Sequence, residues 1–394
     1  MSEKKTVVIG VTGGIAVYKA LDVISTLKKQ NIDVHVIMTK SACEFVNPIS
    51  FQSLSQNLVV SDMFDEPKAW EIQHISLAKK ADLMLVVPAT ANILGKVANG
   101  IADDMLSTTI MATKAEVVFA PAMNTNMYTN PIVQGNIEKL KGYGYKFINP
   151  ASGRLACGDV GEGKLADTKL ICENVLSMLY PKKDLINKKV IVTAGPTIAP
   201  IDPVRFITNK STGKMGYAIA EEARDRGAEV ILISGPTSLE APFGITTYKV
   251  STNEEMLNEI VKHFDEADIV IKSAAVADYK PKEYSNAKIK KSSDELNLSF
   301  VRDNDILATL GKMKRHQLLV GFAAESNDLI ENAKSKLERK NLDFIVANDI
   351  MSTKTGFASN DNKVTILCRD GRNINLDEMP KRQVARELFD LIIK

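Results

Sequence analysis

The chain has 394 residues, 45% hydrophobic and 25% charged, the composition of a soluble globular protein with enough apolar material for a large interior. Fifty basic against 48 acidic residues leave a formal charge of +2, which excludes a whole-protein field for nucleic acid or an anionic membrane. No stretch reaches the roughly 18 uninterrupted apolar residues of a membrane span, and Cys43, Cys157, Cys172 and Cys368 lie far apart with no CxxC pair, so a cytoplasmic protein without disulfides or structural zinc is expected.

In chain order, short β-branched runs alternate with amphipathic stretches, the signature of βαβ units. TVVIGV (6–11) reads as a first strand that enters a Gly loop rather than a signal-peptide cleavage site. DVHVIMT (33–39), DLMLVVP (82–88), EVVFAP (116–121) and YKFIN (145–149) read as further strands. Helices are expected in IAVYKALDVISTLKKQ, ISLAKKA, DDMLSTTIMAT, VQGNIEKLKGYG and LADTKLICENVLSMLY, whose apolar residues recur at helical spacing. The charged, Pro-initiated PKKDLINKK (181–189) interrupts the pattern, which restarts at VIVTAGPT (190–197), so two domains are predicted, 1–186 and 187–394. The second is again α/β, with strands in VILISGP (230–236), DIVIKSAAVADY (268–279), LLVGFAAE (318–325) and LDFIVAND (342–349). Its helices are GYAIAEEARDRG, DLIENAKSKLERKN and KRQVARELFDLIIK, and a hairpin turns at Asp370-Gly371. Both halves are open, mainly parallel sheets, whose ligands belong beyond the carboxyl ends of the strands.

VVIGVTGGIAVYKA sets Gly10, Gly13 and Gly14 between a strand and a helix, where backbone N–H groups can hold a phosphate. The spacing is not GxGxxG, and the second strand ends in Met38-Thr39-Lys40 rather than in an acid for a ribose diol. A mononucleotide such as FMN therefore fits better than NAD, with a plain tight turn as the alternative. PATANILGKVANGIADDMLSTT (88–109) offers Thr90 and Asn92 as hydrogen-bonding groups, and APAMNTNMYTNP (120–131) sets Asn124 between Met123 and Met127. His74 stands at a helix start, whereas His35 in a strand and His263 and His316 among charged helical residues read as structural. In SGRLACGDVGEGKL (152–165) four glycines free the backbone to fold over a ligand. Its Cys157, read alone, is equally a small apolar plug.

TGGIAVYKA, HISLAKKADLMLVVPATAN, NGIADDMLSTT, APAMNTNMY and SGRLACGDVGEGKL together closely resemble the flavin-dependent cysteine decarboxylases, specifically the phosphopantothenoylcysteine decarboxylase family, over nearly all of residues 5–180. The resemblance implies a flavodoxin-like three-layer fold and a site shared between subunits of a trimer. It places FMN on Gly13, Gly14, Ile15, Thr39, Pro88, Thr90, Asn92, Ser107 and Thr109. Loss of CO₂ from a cysteine carboxylate needs an electron sink, which the family makes by flavin oxidation of the side chain to a thioaldehyde; the resulting enethiolate is then reduced. Carried over by motif position, Cys157 is the proton donor and His74 the base or electrostatic partner. Met123 and Asn124 contact substrate, Asn124 at the carboxylate. Tyr128 stands where the family often has tryptophan.

In the second half, AGPTIAPIDPVRFITNKSTGKMGYAIA (194–220) looks like a P-loop but lacks its spacing, because Ser211-Thr212 precede Gly213-Lys214. Hydroxyls, Gly213 and Gly216 at a helix start still make an anion seat, and Arg205, Asn209 and Lys210 add donors. SAAVADYKP supplies Asp278, NAKIKK supplies Lys288, Lys290 and Lys291, SKLERKNLD sets Lys336 and Lys340 on one helical face, and GFAAE ends a strand with Phe322. A lysine run by itself reads as solvated surface.

Together AGPT, DPVRFITNKSTGKMG, AAVADY, KIKK, GFAAES and KNLDFIVAND resemble the phosphopantothenate–cysteine ligases over residues 188–393, in a Rossmann-like domain. The whole chain resembles the bifunctional coenzyme A biosynthesis family. That resemblance implies CTP with Mg²⁺ as co-substrate and 4′-phosphopantothenate and L-cysteine as substrates. Attack on CTP gives an acyl-cytidylate and pyrophosphate, and the cysteine amine then displaces CMP. It further implies that Asn209 and Lys288 serve acyl-cytidylate formation and turnover, with Arg205 and Asn209 at the substrate. Ser273, Ala274, Asp278, Lys288, Asn304, Asp305, Ile306, Leu307, Phe322, Lys336 and Lys340 would bind the nucleotide; no metal ligands are assigned. DNDIL stands where the family more often has a proline before the Asp. The implied assembly is a homo-oligomer, a dodecamer of decarboxylase trimers and ligase dimers. A non-catalytic flavin-binding regulator is disfavoured by the presence of both His74 and Cys157, and a prenyltransferase of the same superfamily by PAMN and the LACG loop.

Overall fold

The β-branched runs of the first half pair side by side. In the computed structural model, which describes residues 4–64, 72–290, 296–325, 329–349 and 359–393, they form one parallel sheet in the spatial order Val59–Val60, Asp33–Met38, Thr6–Val11, Leu83–Ala89, Glu116–Pro121, Lys146–Phe147. The central strands are buried on both faces, which is why they read as unbroken apolar runs rather than as alternation. Side chains of successive residues still part company. Val7, Ile9 and Val11 pack with the helices Val17–Lys29 and Thr168–Met178, whereas Val8, Met84 and Val86 pack with Ala91–Ala98, Met105–Ala112 and Pro131–Gly142.

The second sheet runs Thr246–Lys249, Glu229–Ser234, Lys189–Ala194, Ile269–Lys272, Leu318–Glu325, Phe344–Asp349, Asp361–Cys368, Asn373–Pro380. Its first six strands are parallel and its last two antiparallel, joined by the hairpin at Asp370-Gly371. One face carries the helices Lys214–Asp225 and Lys381–Ile392, the other Asn253–Phe264, Ile306–Met313 and Leu329–Arg339. In each sheet the chain reverses its direction of strand addition at one place, beside Thr6–Val11 in the first and beside Lys189–Ala194 in the second. Loops leaving adjacent parallel strands diverge there and open a crevice.

The chain divides into the units Met1–Leu179 and Tyr180–Lys394, so the second unit begins within the stretch expected to close the first domain. Tyr180 donates to Glu222, Asp184 pairs with Arg226 at 3.3 Å, and Leu185 lies in the second core. The strand expected over 268–279 stops at Lys272, because the amides of Ala274 and Ala277 turn to the hydroxyls of Thr193 (3.1 Å) and Thr197 (3.0 Å). The helices Pro48–Ser55, Asn253–Phe264 and Ile306–Met313 went unread, although each has a side-chain cap, from Asn47, Thr252 and Asp305. His316 lies in a bend beyond Met313, not within a helix. No helix among the described residues is long and apolar enough to cross a membrane.

Candidate functional site

The first crevice is stitched together by one side chain that the sequence reading passed over. Thr12, just past the strand Thr6–Val11, donates its hydroxyl to the Pro88 carbonyl at 2.7 Å and accepts from the Thr90 amide at 3.1 Å. This fixes two loops across the reversal point. The cleft beside them, of about 560 Å³, is lined by the polar groups of Gly13, Thr39, Ser41, Thr90 and Asn92 and by the apolar Met38, Met63, Met105 and Leu106. A Cβ on Gly13 would stand 2.4 Å from the Ser41 Cβ and 2.8 Å from its backbone carbon, so only glycine fits there. The helix Val17–Lys29 has no side-chain cap at its N-terminus; the Val17 and Lys19 amides go to the Gly14 and Ala16 carbonyls, each at 3.0 Å, so the helix dipole rather than a row of open amides favours an anion there. Hydroxyl and amide groups together with methionine and leucine side chains in one cleft suit a phosphate-bearing planar group.

Four of the expected flavin residues, Gly13, Thr39, Thr90 and Asn92, line this cleft. Gly14 and Ile15 belong to the same loop without lining it, and Pro88 contributes the carbonyl bonded by Thr12. Ser107 and Thr109 are fully buried in the helix Met105–Ala112 and do not line the cleft. Ser107 closes a capping box with Asp104, and the Thr109 hydroxyl donates to the Met105 carbonyl at 2.7 Å.

A second cluster forms where Ala151–Arg154 and Val160–Lys164 pair as an antiparallel hairpin. Cys157 at its tip is exposed, not a buried plug. The Cys157 thiol donates to Asp159 at 3.4 Å and accepts from the Asn124 Nδ2 at 3.3 Å, and that same nitrogen donates to Asp159 Oδ2 at 2.7 Å. Asn124 Oδ1 accepts from the Asn126 amide at 2.8 Å, which sets the orientation of its carboxamide. The Met123 amide donates to the Gly163 carbonyl at 2.9 Å, tying the hairpin to this loop. Gly163 has φ +120 and its Cβ would meet the Met123 oxygen at 2.5 Å, so the tie requires glycine. Asp159 is a member of the cluster that the sequence reading did not single out; the Cys-Gly-Asp spacing, with Gly158 at φ +94, was the available signal. His74 opens the helix Gln73–Lys80, half-buried, and lies outside both the cleft lining and the Cys157 cluster.

The pocket of the second unit, about 400 Å³, lies at that sheet's reversal point. Ser273, Ala274, Asp278, Asn304, Asp305, Ile306, Leu307, Phe322, Lys336 and Lys340 all line it, together with Asn209 and the Ser211–Gly216 turn. Asn209 donates to the carbonyls of Ala275 and Val276, each at 3.0 Å, and so holds the loop after Ile269–Lys272. Asp305 caps Ile306–Met313 through the Ala308 amide at 3.1 Å and pairs with Lys340 at 2.8 Å. Lys288 is exposed and outside this lining, and Lys291 lies outside the described residues. Arg205 is also outside it. Its guanidinium is engaged by Asp202 (2.7 Å) and the Ile289 carbonyl (2.7 Å), so it clamps the segment that carries Lys288. Burial would raise the Asp202 carboxyl, but backbone donors from Val204, Ile289 and Arg205, with the Arg205 guanidinium, bring it down to about 2.

Sequence reading missed Lys272, Lys214, Asn362 and Lys381 in this lining. For Lys381, burial and then neighbouring Lys214 push the ammonium down to about 8, against Asp361. Its position on the last helix carries no local sign of a ligand. Among the described residues no group of three or more His, Cys, Asp or Glu side chains could hold a metal ion.

Residues 1–180 match the Flavoprotein family, and residues 185–394 match the DNA/pantothenate metabolism flavoprotein C-terminal domain. Over its whole length the chain is 48% identical to the coenzyme A biosynthesis bifunctional protein CoaBC of Bacillus subtilis (strain 168), covering 97% of that protein. It is 43% identical to the CoaBC of Borreliella burgdorferi, with both chains fully covered. The chain belongs to the CoaBC family. The CoaBC of Escherichia coli (strain K12) is 41% identical over 99% of this chain and 97% of its own. Among solved structures, the C-terminal domain of a CoaBC is 46% identical over 54% of this chain and 97% of that one, with a TM-score of 0.47. A PPC decarboxylase mutant complexed with pantothenoylaminoethenethiol is 32% identical over 44% and 97%, with a TM-score of 0.40. As a CoaBC protein the chain is a bifunctional enzyme of coenzyme A biosynthesis with a flavoprotein half, and the decarboxylase and ligase activities expected of its halves are those of this family.

Proposed function

We propose that the second unit joins 4′-phosphopantothenate to L-cysteine through an acyl-cytidylate made from CTP, and that the first decarboxylates the resulting phosphopantothenoylcysteine to 4′-phosphopantetheine with FMN in its cleft. The observation that carries the decarboxylase reading is the exposed Cys157 thiol held between Asn124 and Asp159. A thiol in that position can deliver its Sγ proton to the decarboxylated intermediate as it is reduced, and the hairpin that bears it can exclude water when it closes over substrate. The Asn124 carboxamide would turn one N–H from the Asp159 carboxylate to an oxygen of the substrate carboxylate when substrate binds.

Gly13, Thr39, Ser41, Thr90 and Asn92 would hold FMN, with the phosphate at the uncapped helix start. FMN, when bound, supplies the reversible two-electron oxidation at the thiol-bearing carbon that makes loss of CO₂ possible. The resemblance to the decarboxylases supports a site shared between copies of the chain, in trimers that would combine with ligase dimers into a dodecamer. A shared site accounts for His74 standing apart from Cys157 and the cleft within one chain. A cytoplasmic location goes with this reading.

In the second unit, charge developing on phosphate and carboxylate oxygens calls for cations and amide donors. Lys336, Lys340 and the Ser211–Gly216 turn supply these to the nucleotide, while Asn209 holds the loop beneath it. Lys288, on the segment clamped by Arg205, would come to the acyl-phosphate from outside the present lining. Mg²⁺ would arrive on the triphosphate, with Asp278 an exposed carboxylate of the pocket lining.

The test is a purified preparation given 4′-phosphopantothenate, L-cysteine and Mg²⁺ with either CTP or ATP. The expected result is a yellow protein that forms CMP, pyrophosphate, CO₂ and 4′-phosphopantetheine with CTP and far less product with ATP. A colourless protein that takes up no FMN would defeat the decarboxylase reading, and equal turnover with ATP would defeat the choice of CTP. Gly13→Ala should yield colourless protein that still ligates cysteine, measured by flavin absorbance and CMP release, because its Cβ displaces the Ser41 turn.

A further inference from the structure

Lys272 ends the strand Ile269–Lys272, whose other residues are buried and apolar. Its neighbours across the sheet are Thr193 and Gly321, so it sits at mid-sheet, at the carboxyl edge where the strand order reverses. The residue is only 9% exposed, yet it lines the 400 Å³ pocket. Among the described residues its ammonium has no hydrogen-bond or ion-pair partner. The nearby acids are otherwise placed: Asp305 is committed to Lys340 and to the cap of Ile306–Met313, and Asp278 is an exposed residue of the following loop. A buried ammonium left without a partner is costly, and its retention points to a ligand whose charge completes it.

We propose that Lys272 is a phosphate-binding residue of this pocket, its ammonium pairing with the phosphate chain of the bound nucleoside triphosphate alongside Lys336 and Lys340. The proposal rests on the reading of the pocket as the nucleotide site. In the free protein, burial and then the repulsion of Lys340 and Lys336 outweigh the attraction of Asp278 and Asp305, and hold the ammonium down to about 8. These four groups face it from the helix Leu329–Arg339 and the residue following it, from the loop after its own strand and from the cap of Ile306–Met313; Lys214 and Lys381 line the same pocket from Lys214–Asp225 and Lys381–Ile392. A polyanion reverses the balance. Binding then draws a proton onto Lys272, and affinity falls as pH rises past the free ammonium's pKa.

The experiment is calorimetric titration of the full chain with CTP, inorganic pyrophosphate and cytidine, at pH 7 and pH 9, in two buffers of different ionisation enthalpy. For the wild type, CTP and pyrophosphate should each take up close to one proton at pH 9 and bind about tenfold more weakly there than at pH 7. Cytidine should do neither. Lys272→Met should weaken CTP at least tenfold at pH 7, abolish the proton uptake and leave the binding of cytidine unchanged. A thermal melt of the variant shows that it is folded, and Lys272→Arg, with a charge that does not titrate in this range, should restore CTP binding without proton uptake. If Lys272→Met binds CTP as the wild type does, or takes up the same proton, the assignment is wrong and the titrating group is another, such as Lys381. If cytidine suffers as CTP does, the ammonium meets the base and the phosphate assignment is equally wrong. A wild type that binds neither CTP nor pyrophosphate would instead defeat the nucleotide reading of the pocket, and this proposal with it.

Discussion

Cys157→Ser is expected to release CO₂ from phosphopantothenoylcysteine while forming 4′-phosphopantetheine at least ~100-fold more slowly, with cysteine ligation unchanged. The hydroxyl matches the thiol in size and can keep the bonds to Asn124 and Asp159, so the hairpin tip should hold its shape. What changes is acidity, since a hydroxyl gives up its proton far less readily than a thiol. Proton delivery comes after CO₂ has left, so the defect belongs to the second half of the reaction and the enethiol should accumulate. Trapping CO₂ and resolving products from the same sample checks this. Equal rates of CO₂ release and of final product formation in the variant would remove Cys157 from the role of donor.

Arg226→Ala should destabilise the second unit by about 3 kcal/mol, because it removes the fully buried cation shared by Glu222, Asp184 and Asp390 and leaves them only their outer partners. Arg226 has no exposed surface. It donates to Glu222 at 2.9 Å, pairs with Asp184 at 3.3 Å and with Asp390, and donates to the Arg386 carbonyl at 3.1 Å. Glu222 is fully buried as well, its Oε2 held by Arg382 at 2.9 Å and its Oε1 shared by Arg226 and the Tyr180 hydroxyl. Every one of these residues lies within 180–394, so the loss should appear as early thermal inactivation of the ligase while flavin stays bound to the first unit. The pH dependence has a definite sign. Burial acts to raise the Asp390 carboxyl, but Lys182 and Arg226 together hold it below its ordinary value. Its contribution is therefore present above the usual carboxylate range and is lost as pH falls through the lowered value. The wild-type ligase unit should lose more stability on acidification than Arg226→Ala does. A variant melting within a degree of the wild type would show that the ion cluster is dispensable.

The sequence by itself determined the two sheets. Strands buried on both faces must be unbroken β-branched runs, and Thr6–Val11, Leu83–Ala89 and Lys189–Ala194 announce themselves in that way. It also marked most of the lining of the second pocket, and singled out Asn124 and Cys157 separately, because those residues sit in loops whose glycines and small side chains are tied to a ligand or a tight turn; their contact with each other and with Asp159 came from the fold. Only the tertiary structure decided how donors were spent. Arg205, Ser107 and Thr109 look available in the sequence, but each is engaged by a local partner, Asp202 with Ile289, Asp104 and Met105 respectively. Lys272 falls unremarked inside the strand expected over 268–279, and Lys381 at the start of the last helix. Parallel strand order carries the carboxyl ends of segments far apart in sequence to a single edge, and a residue's own neighbours in the chain give no sign of what stands opposite it there.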